Sequence, residues 1–127
     1  MTQETTERFM STLQQIEATG DVEPLVAMFA EDAELSKLAH IEQLHGQDGA
    51  RRFWRNYLQV FDRIHSTFTH VVEGDNSAVL EWTAEGALTT GEPLHYQGIS
   101  VIEFTHGLVH RFRTYYDSAV FLPQGAK

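Results

Sequence analysis

The spacing of apolar residues changes once along the chain, near Arg63, and that change restricts the fold more than any other feature. Before it, apolar side chains recur at helical spacing; after it, they alternate with period two. Phe9, Met10, Leu13 and Ile16 form one helical stripe between about Glu4 and Ala18. Glu4 and Glu7 stand in its first turn, where the helix dipole favours anions, and Gly20 stands just beyond its end. Asp21 is placed to cap a second helix with the stripe Val22, Leu25, Val26 and Phe29, Pro24 being tolerated in the first turn. Asp48 is placed to cap a third, in which Ala50, Phe53, Trp54, Tyr57, Leu58 and Phe61 share one face. Between them, Ala30 to Gln47 reads as mixed, a frayed helix end passing into a short extended stretch.

After Arg63 four strand-like runs follow. Thr67 to Glu73 ends at the turn cluster Gly74-Asp75-Asn76-Ser77, and Ala78 to Leu88 leads to Thr89-Thr90-Gly91-Glu92-Pro93. Leu94 to Phe104 ends at Thr105-His106-Gly107, and Leu108 to Asp117 is the last run. Leu80, Trp82 and Ala84 alternate with Glu81, Thr83 and Glu85, giving one apolar and one wet face. Short connections imply antiparallel hairpins. The expected class is α+β, three N-terminal helices on one face of an antiparallel sheet, forming a single domain over residues 1–127.

Composition narrows the function classes. The chain has 127 residues and a net charge of −9, so phosphate-rich partners are disfavoured: neither nucleic acid nor an anionic membrane is expected. Cysteine is absent, which removes disulfides, thiolate nucleophiles and cysteine zinc sites. The start, Met1-Thr2-Gln3-Glu4, lacks the basic flank and apolar stretch of a signal peptide, and a cytoplasmic location is expected. Eight Phe, four Tyr and two Trp exceed what a minimal core of this size needs, so some either fill the core or line a cavity.

The order of elements and several local sequences resemble the SnoaL-like branch of the NTF2-like superfamily. These are Gly20-Asp21, Met28-Phe29-Ala30-Glu31-Asp32-Ala33 and Leu44-His45-Gly46-Gln47-Asp48-Gly49-Ala50-Arg51-Arg52-Phe53-Trp54, then Val79 to Gly86, Gly98 to Phe104 and Gly107 to Asp117. The resemblance spans about Thr6 to Leu122. It implies a cone-shaped barrel, a curved sheet wrapped around the helices, with an apolar cavity at its open end. The superfamily includes polyketide cyclases, ketosteroid isomerases, dehydratases and epoxide hydrolases beside catalytically silent binding modules, so residues must decide function. An isomerase of this kind uses a carboxylate base and a tyrosine–aspartic acid oxyanion hole. Matching the motifs places Gln14, Lys37 and Ser100 at those positions, so the set is vacant. The Asp-Arg-Asp set of the epoxide hydrolases is vacant too, with Thr114 and the run Trp82-Thr83-Ala84 in its place.

The residues that remain for chemistry are histidine, lysine and hydroxyls. Strand parity puts Tyr96, Gly98, Ser100, Ile102 and Phe104 on one face, His110, Phe112, Thr114 and Tyr116 on another, and Phe68, His70 and Val72 on a third. His70, His110 and Lys37 are therefore the candidate acid/base residues. Gln14, His40, Trp54, Tyr57, Trp82, Tyr96, Ser100, Phe112, Thr114 and Tyr116 are the candidate ligand-binding set. Seven histidines form no i, i+4 helical pair, and His106 and His110 are separated by a turn, so neither a metal nor another cofactor is expected. The outer-face set Ile99, Val101, Glu103, Arg111, Arg113 and Tyr115 suits a homodimer interface. The expected function is binding of a small hydrophobic or aromatic molecule, with cofactor-free cyclase- or isomerase-like chemistry on a carbonyl compound. The alternative is a non-catalytic ligand-binding or dimeric interaction module.

Overall fold

In the computed structural model, residues 2–38 and 44–121 are described. The first stripe folds as α1 (Thr2–Thr19), which buries Phe9, Leu13 and Ile16. Gly20 ends it with φ 81° and donates its N–H to the Ile16 carbonyl at 2.8 Å, a left-handed closure that glycine adopts without steric cost.

The second helix is shorter than its stripe predicts. It is a single turn, α2 (Glu23–Val26), with Val22 at the N-cap, while Asp21 Oδ1 accepts the Glu23 N–H at 3.1 Å. Phe29, the last residue of that stripe, instead opens β1 (Phe29–Lys37). The reason lies at the far end of the chain. β1 runs parallel to β6 (Leu108–Tyr116), with Phe29 opposite Val109 and Leu35 opposite Phe112, and buries Phe29, Ala33 and Leu35. Ala-Glu-Asp-Ala-Glu has little preference for extended backbone, so tertiary packing makes this strand.

A two-residue strand, β2 (Leu44–His45), pairs antiparallel with β1 and leads into α3 (Gly46–Gln59). The helix begins ahead of Asp48, which sits in its first turn and pairs with Arg51 Nη1 at 2.9 Å. Phe61 opens β3 (Phe61–Glu73) rather than closing the helix face. β1 and β2 thus separate α2 from α3, so the helices are not one N-terminal block.

β4 (Ser77–Leu88) and β5 (Pro93–Thr105) complete a six-stranded sheet of order β2-β1-β6-β5-β4-β3. Its two ends do not pair, so the sheet is open, and its β1–β6 pair is parallel where an antiparallel sheet was expected. The β5–β6 turn holds His106 at φ 53° and Gly107 at φ 77°, two consecutive left-handed residues as in tight hairpins whose twist matches the strands. No helix among the described residues is long and apolar enough to cross a membrane.

Two bulges decide which side chains face inward. Phe68 pairs with Trp82 and His70 with Glu81, leaving Thr69 as the extra residue. Glu103 pairs with Arg111 and Phe104 with Val109, leaving His110 as the extra residue. Each bulge resets the alternation, so Val71 and Val109 turn inward while His70 and Val72 turn outward. On the outer face Ile99 and Tyr115 are exposed, and Glu103 pairs with Arg113 Nη1 at 2.6 Å and Arg111 Nη1 at 3.7 Å.

Candidate functional site

The inner face of the sheet and α3 enclose a cavity of about 420 Å³, within the range of small-molecule sites. Its apolar wall comes from Leu13 on α1, Phe53 and Trp54 on α3, Phe61 on β3, Phe112 on β6 and Phe121 in the short turn Ser118–Phe121. Edge-to-face packing makes this wall stiff. The Trp54 ring centroid lies 5.0 Å from that of Phe53, 5.2 Å from Phe112 and 5.7 Å from Tyr57. The Trp54 indole N–H is buried without a hydrogen-bond partner.

Ser36, Lys37, Asn56 and Ser118 also line the cavity, and two hydrogen-bonded polar groups stand on its wall. On the strands, Trp82 Nε1 donates to Ser100 Oγ at 3.0 Å, Ser100 Oγ meets Thr114 Oγ1 at 2.9 Å, and Thr114 Oγ1 reaches the Ile99 carbonyl at 3.5 Å. Gly98 permits this arrangement. A Cβ there would stand 2.6 Å from Trp82 Cζ2 and 2.5 Å from the Tyr115 carbonyl oxygen, so the indole can cross β5 only over a residue without a side chain.

The second group converges on Glu17 of α1. Its carboxylate accepts the Tyr57 hydroxyl at 2.6 Å, the Ser66 hydroxyl at 2.6 Å and the Ser66 backbone N–H at 2.8 Å. Gln14 Nε2 donates to the Ser66 carbonyl at 3.0 Å, tying α1 to β3 a second time. Ser66 and Tyr57 line the cavity, and Glu17 stands behind them. A half-buried carboxylate with three donors satisfies the requirement that a charge leaving water be hydrogen-bonded.

Burial pushes the phenols of Tyr57, Tyr96 and Tyr116 above the usual tyrosine value, and the Glu17 charge adds to the shift at Tyr57 and Tyr96. The sign of the linkage follows. Above about pH 10 an unfolded chain releases phenol protons that the folded chain keeps, so the folded state binds more protons and stability falls as pH rises. Urea unfolding should show this contribution intact below about pH 10 and lost progressively above it. Tyr57→Phe and Tyr96→Phe should each make the alkaline decline shallower; an unchanged slope would show that these phenols titrate like free tyrosine.

Of the residues singled out from sequence, Trp54, Tyr57, Trp82, Tyr96, Ser100, Phe112, Thr114 and Tyr116 lie on the cavity, with Lys37 on its exposed rim. Gln14 supports the wall from behind through Ser66. His40 lies outside the described residues. His70 and His110 are not among the lining residues. The bulge at Thr69 leaves His70 exposed beside Glu81, and that at His110 places its Nδ1 3.7 Å from Asp32 Oδ1. Asp117 caps the last short turn, accepting the Ala119 N–H at 3.1 Å. Among the described residues no group of three His, Asp or Glu side chains is placed to hold a metal ion.

Glu17 and Ser66 carry the polar wall, yet neither stood out in the sequence. The available signal was position: Glu17 follows Leu13 by four residues and Gln14 by three, which puts a carboxylate on the buried stripe of α1.

Comparison with known proteins agrees with the architecture. No curated protein matches the chain. Among solved structures, an NTF2-like protein from Anabaena variabilis ATCC 29413 is 19% identical, with 92% of this chain and 90% of that chain covered and a TM-score of 0.82. TerC, co-crystallised with polyporic acid, is 15% identical over 92% of this chain and 94% of that chain, with a TM-score of 0.77. A phenazine biosynthesis-related protein from Pseudomonas aeruginosa is 18% identical over 99% of this chain and 90% of that chain, with a TM-score of 0.74. At these identities the likeness is one of fold. The sequence profile of the SnoaL-like domain matches residues 6–112, and the chain therefore belongs to the SnoaL-like family of NTF2-like proteins.

Proposed function

We propose that the chain binds a small, flat aromatic molecule in this cavity and acts as a binding module rather than as a histidine-dependent acid/base enzyme. The observation that carries the reading is the cavity itself: about 420 Å³, walled largely by aromatic rings packed edge to face, with two hydrogen-bonded polar groups on its wall and Lys37 and Asn56 also lining it. Such a pocket rewards shape and ring contact first, with hydroxyls fixing orientation. The two histidines expected to move protons point elsewhere, and the Glu17 carboxylate already accepts three hydrogen bonds behind the wall. Two proteins of like fold support the ligand class, one co-crystallised with polyporic acid and one related to phenazine biosynthesis, both compounds being built on planar rings.

The test is direct binding of 2-naphthol by calorimetry, with intrinsic fluorescence to locate it. One-to-one binding with a Kd of roughly 10–100 μM is expected for a ligand of this size. Both tryptophans of the chain line the cavity, so Trp54→Phe and Trp82→Phe should each leave a single emitter that the ligand still quenches. Absence of both heat and quenching at millimolar ligand would remove the reading.

A further inference from the structure

Lys37 is the one feature of the cavity that the binding role just proposed leaves unused, and the ligand class drawn from it rests on that role. The chain carries 18 Asp and Glu against nine Lys and Arg. Among the described residues, however, no acidic side chain lines the cavity, and its single charged lining residue is this cation. Burial divides the lining into a floor and a mouth. Phe53, Trp54, Phe61, Trp82 and Phe112 are buried, whereas Lys37, Asn56, Val60 and Ser118 are exposed. Among the described residues, neither the Lys37 ammonium nor the Asn56 amide has a hydrogen-bond or ion-pair partner. The mouth therefore offers N–H donors and one positive charge above an aromatic floor.

The backbone holds Lys37 at this place. It stands opposite Thr114 in the β1–β6 register, and Thr114 stands opposite Ser100 in the β5–β6 register. Lys37 shares the parity of buried Leu35, so lysine, threonine and serine form one row across three strands on the inner face. Leu38, the next residue, takes φ 53° and donates its N–H to the Thr114 carbonyl at 2.8 Å. Leucine rarely adopts this left-handed conformation, and the bond fixes the end of β1 against β6 directly beyond the lysine. The opposing charge is kept apart. Glu17 stands behind Tyr57 and Ser66 with three donors already on its carboxylate, and β3, which carries Ser66, is four strands from β1 in the sheet.

We propose that the cavity takes an aromatic carboxylate in preference to a neutral compound of the same shape, with the rings on the aromatic floor and the carboxylate at the mouth on Lys37. Ring burial supplies most of the affinity. The head group stays at the mouth because a carboxylate drawn onto the floor would lose its water without a partner. At the mouth it keeps water on one side and gains the ammonium on the other, beside an apolar wall that strengthens the attraction.

The experiment compares 2-naphthoate with 2-naphthamide, which has nearly the same outline but no charge at neutral pH. By calorimetry at about 20 mM salt, 2-naphthoate should bind about fivefold tighter, and the ratio should shrink towards one at about 500 mM salt, where charges are screened within a few ångströms. Lys37→Gln should bring the ratio to one or below while changing 2-naphthamide affinity by less than about twofold, because the ring site is untouched. Lys37→Arg keeps the charge and should retain about half of the preference or more. Arg52→Gln makes the same charge change at an exposed residue that does not line the cavity, and should leave the ratio as it is. A ratio of one or below in the parent overturns the inference. So does a preference that survives Lys37→Gln, or one lost as fully in Lys37→Arg or Arg52→Gln. Any of these results, with 2-naphthol still bound, leaves the binding role intact; failure of 2-naphthol, 2-naphthoate and 2-naphthamide alike removes the binding role and this inference with it.

Discussion

Replacing Phe112 with alanine is expected to cost about 3–5 kcal/mol of folding stability, the largest loss anticipated for any single side chain described above. Phe112 is 2% exposed and stands where helices and sheet meet. Its ring centroid lies 5.2 Å from Trp54, 5.7 Å from Phe53, 5.8 Å from Phe9 and 6.4 Å from Phe29, so one truncation removes a partner from four rings at once. Those rings are fixed on α1, α3 and β1, and they cannot all collapse into the space left behind. Against a typical total of about 5–15 kcal/mol, the loss brings the domain close to its unfolding threshold. Urea denaturation checks this, with the midpoint expected to fall at a nearly constant slope. Phe112 also lines the cavity, so the variant should accept larger ring systems than the parent does. A loss below about 1 kcal/mol would show that the ring cluster repacks, contrary to the rigidity ascribed to it.

Gly98→Ala should have the second-largest effect, and through a different route. The added methyl would meet Trp82 ring carbons at 2.6 and 2.8 Å and the Tyr115 carbonyl oxygen at 2.5 Å, well inside van der Waals contact. The carbonyl belongs to the β5–β6 ladder, so the indole must give way. Trp82 then loses its 3.0 Å bond to Ser100, and the strand-side polar group comes apart. Overpacking of this kind costs about 1–3 kcal/mol. The effect on binding is larger in proportion, with at least tenfold weaker affinity for 2-naphthol expected once the indole swings into the cavity. A red-shifted tryptophan emission would report the same displacement. Wild-type affinity in this variant would show that Trp82 is not held where it lies by the bare backbone at Gly98.

Much of this architecture was legible in residue order because it rests on local rules. Phe9, Leu13 and Ile16 face inward at helical spacing, and Tyr96, Ser100, Ile102 and Phe104 are all buried, as strict alternation requires. What could not be read depends on distant partners. Phe29 continues a helical stripe in sequence, yet becomes strand because Val109 stands ready to pair with it. His70 and His110 share the parity of Phe68 and Phe112, yet each loses the inner face to one inserted residue, and no local signal announces a bulge. The site shows the same division. Its aromatic wall follows from faces, whereas the Glu17 network needs α1 laid against β3, a contact that periodicity in either element does not disclose.

The parallel pairing of β1 with β6 carries one more consequence, for the birth of the molecule rather than its finished form. Along one edge of β1, Phe29 and Leu35 find their strand partners at Val109 and Phe112, so that edge leaves the ribosome long before the strand that pairs with it. Contacts so remote in sequence raise the loop-closure cost of the folding nucleus and slow it. A chain halted before Leu108 would keep that edge of β1, and the edge of β5, unpaired and prone to association, so completion of the sheet must wait for the last strand to be made.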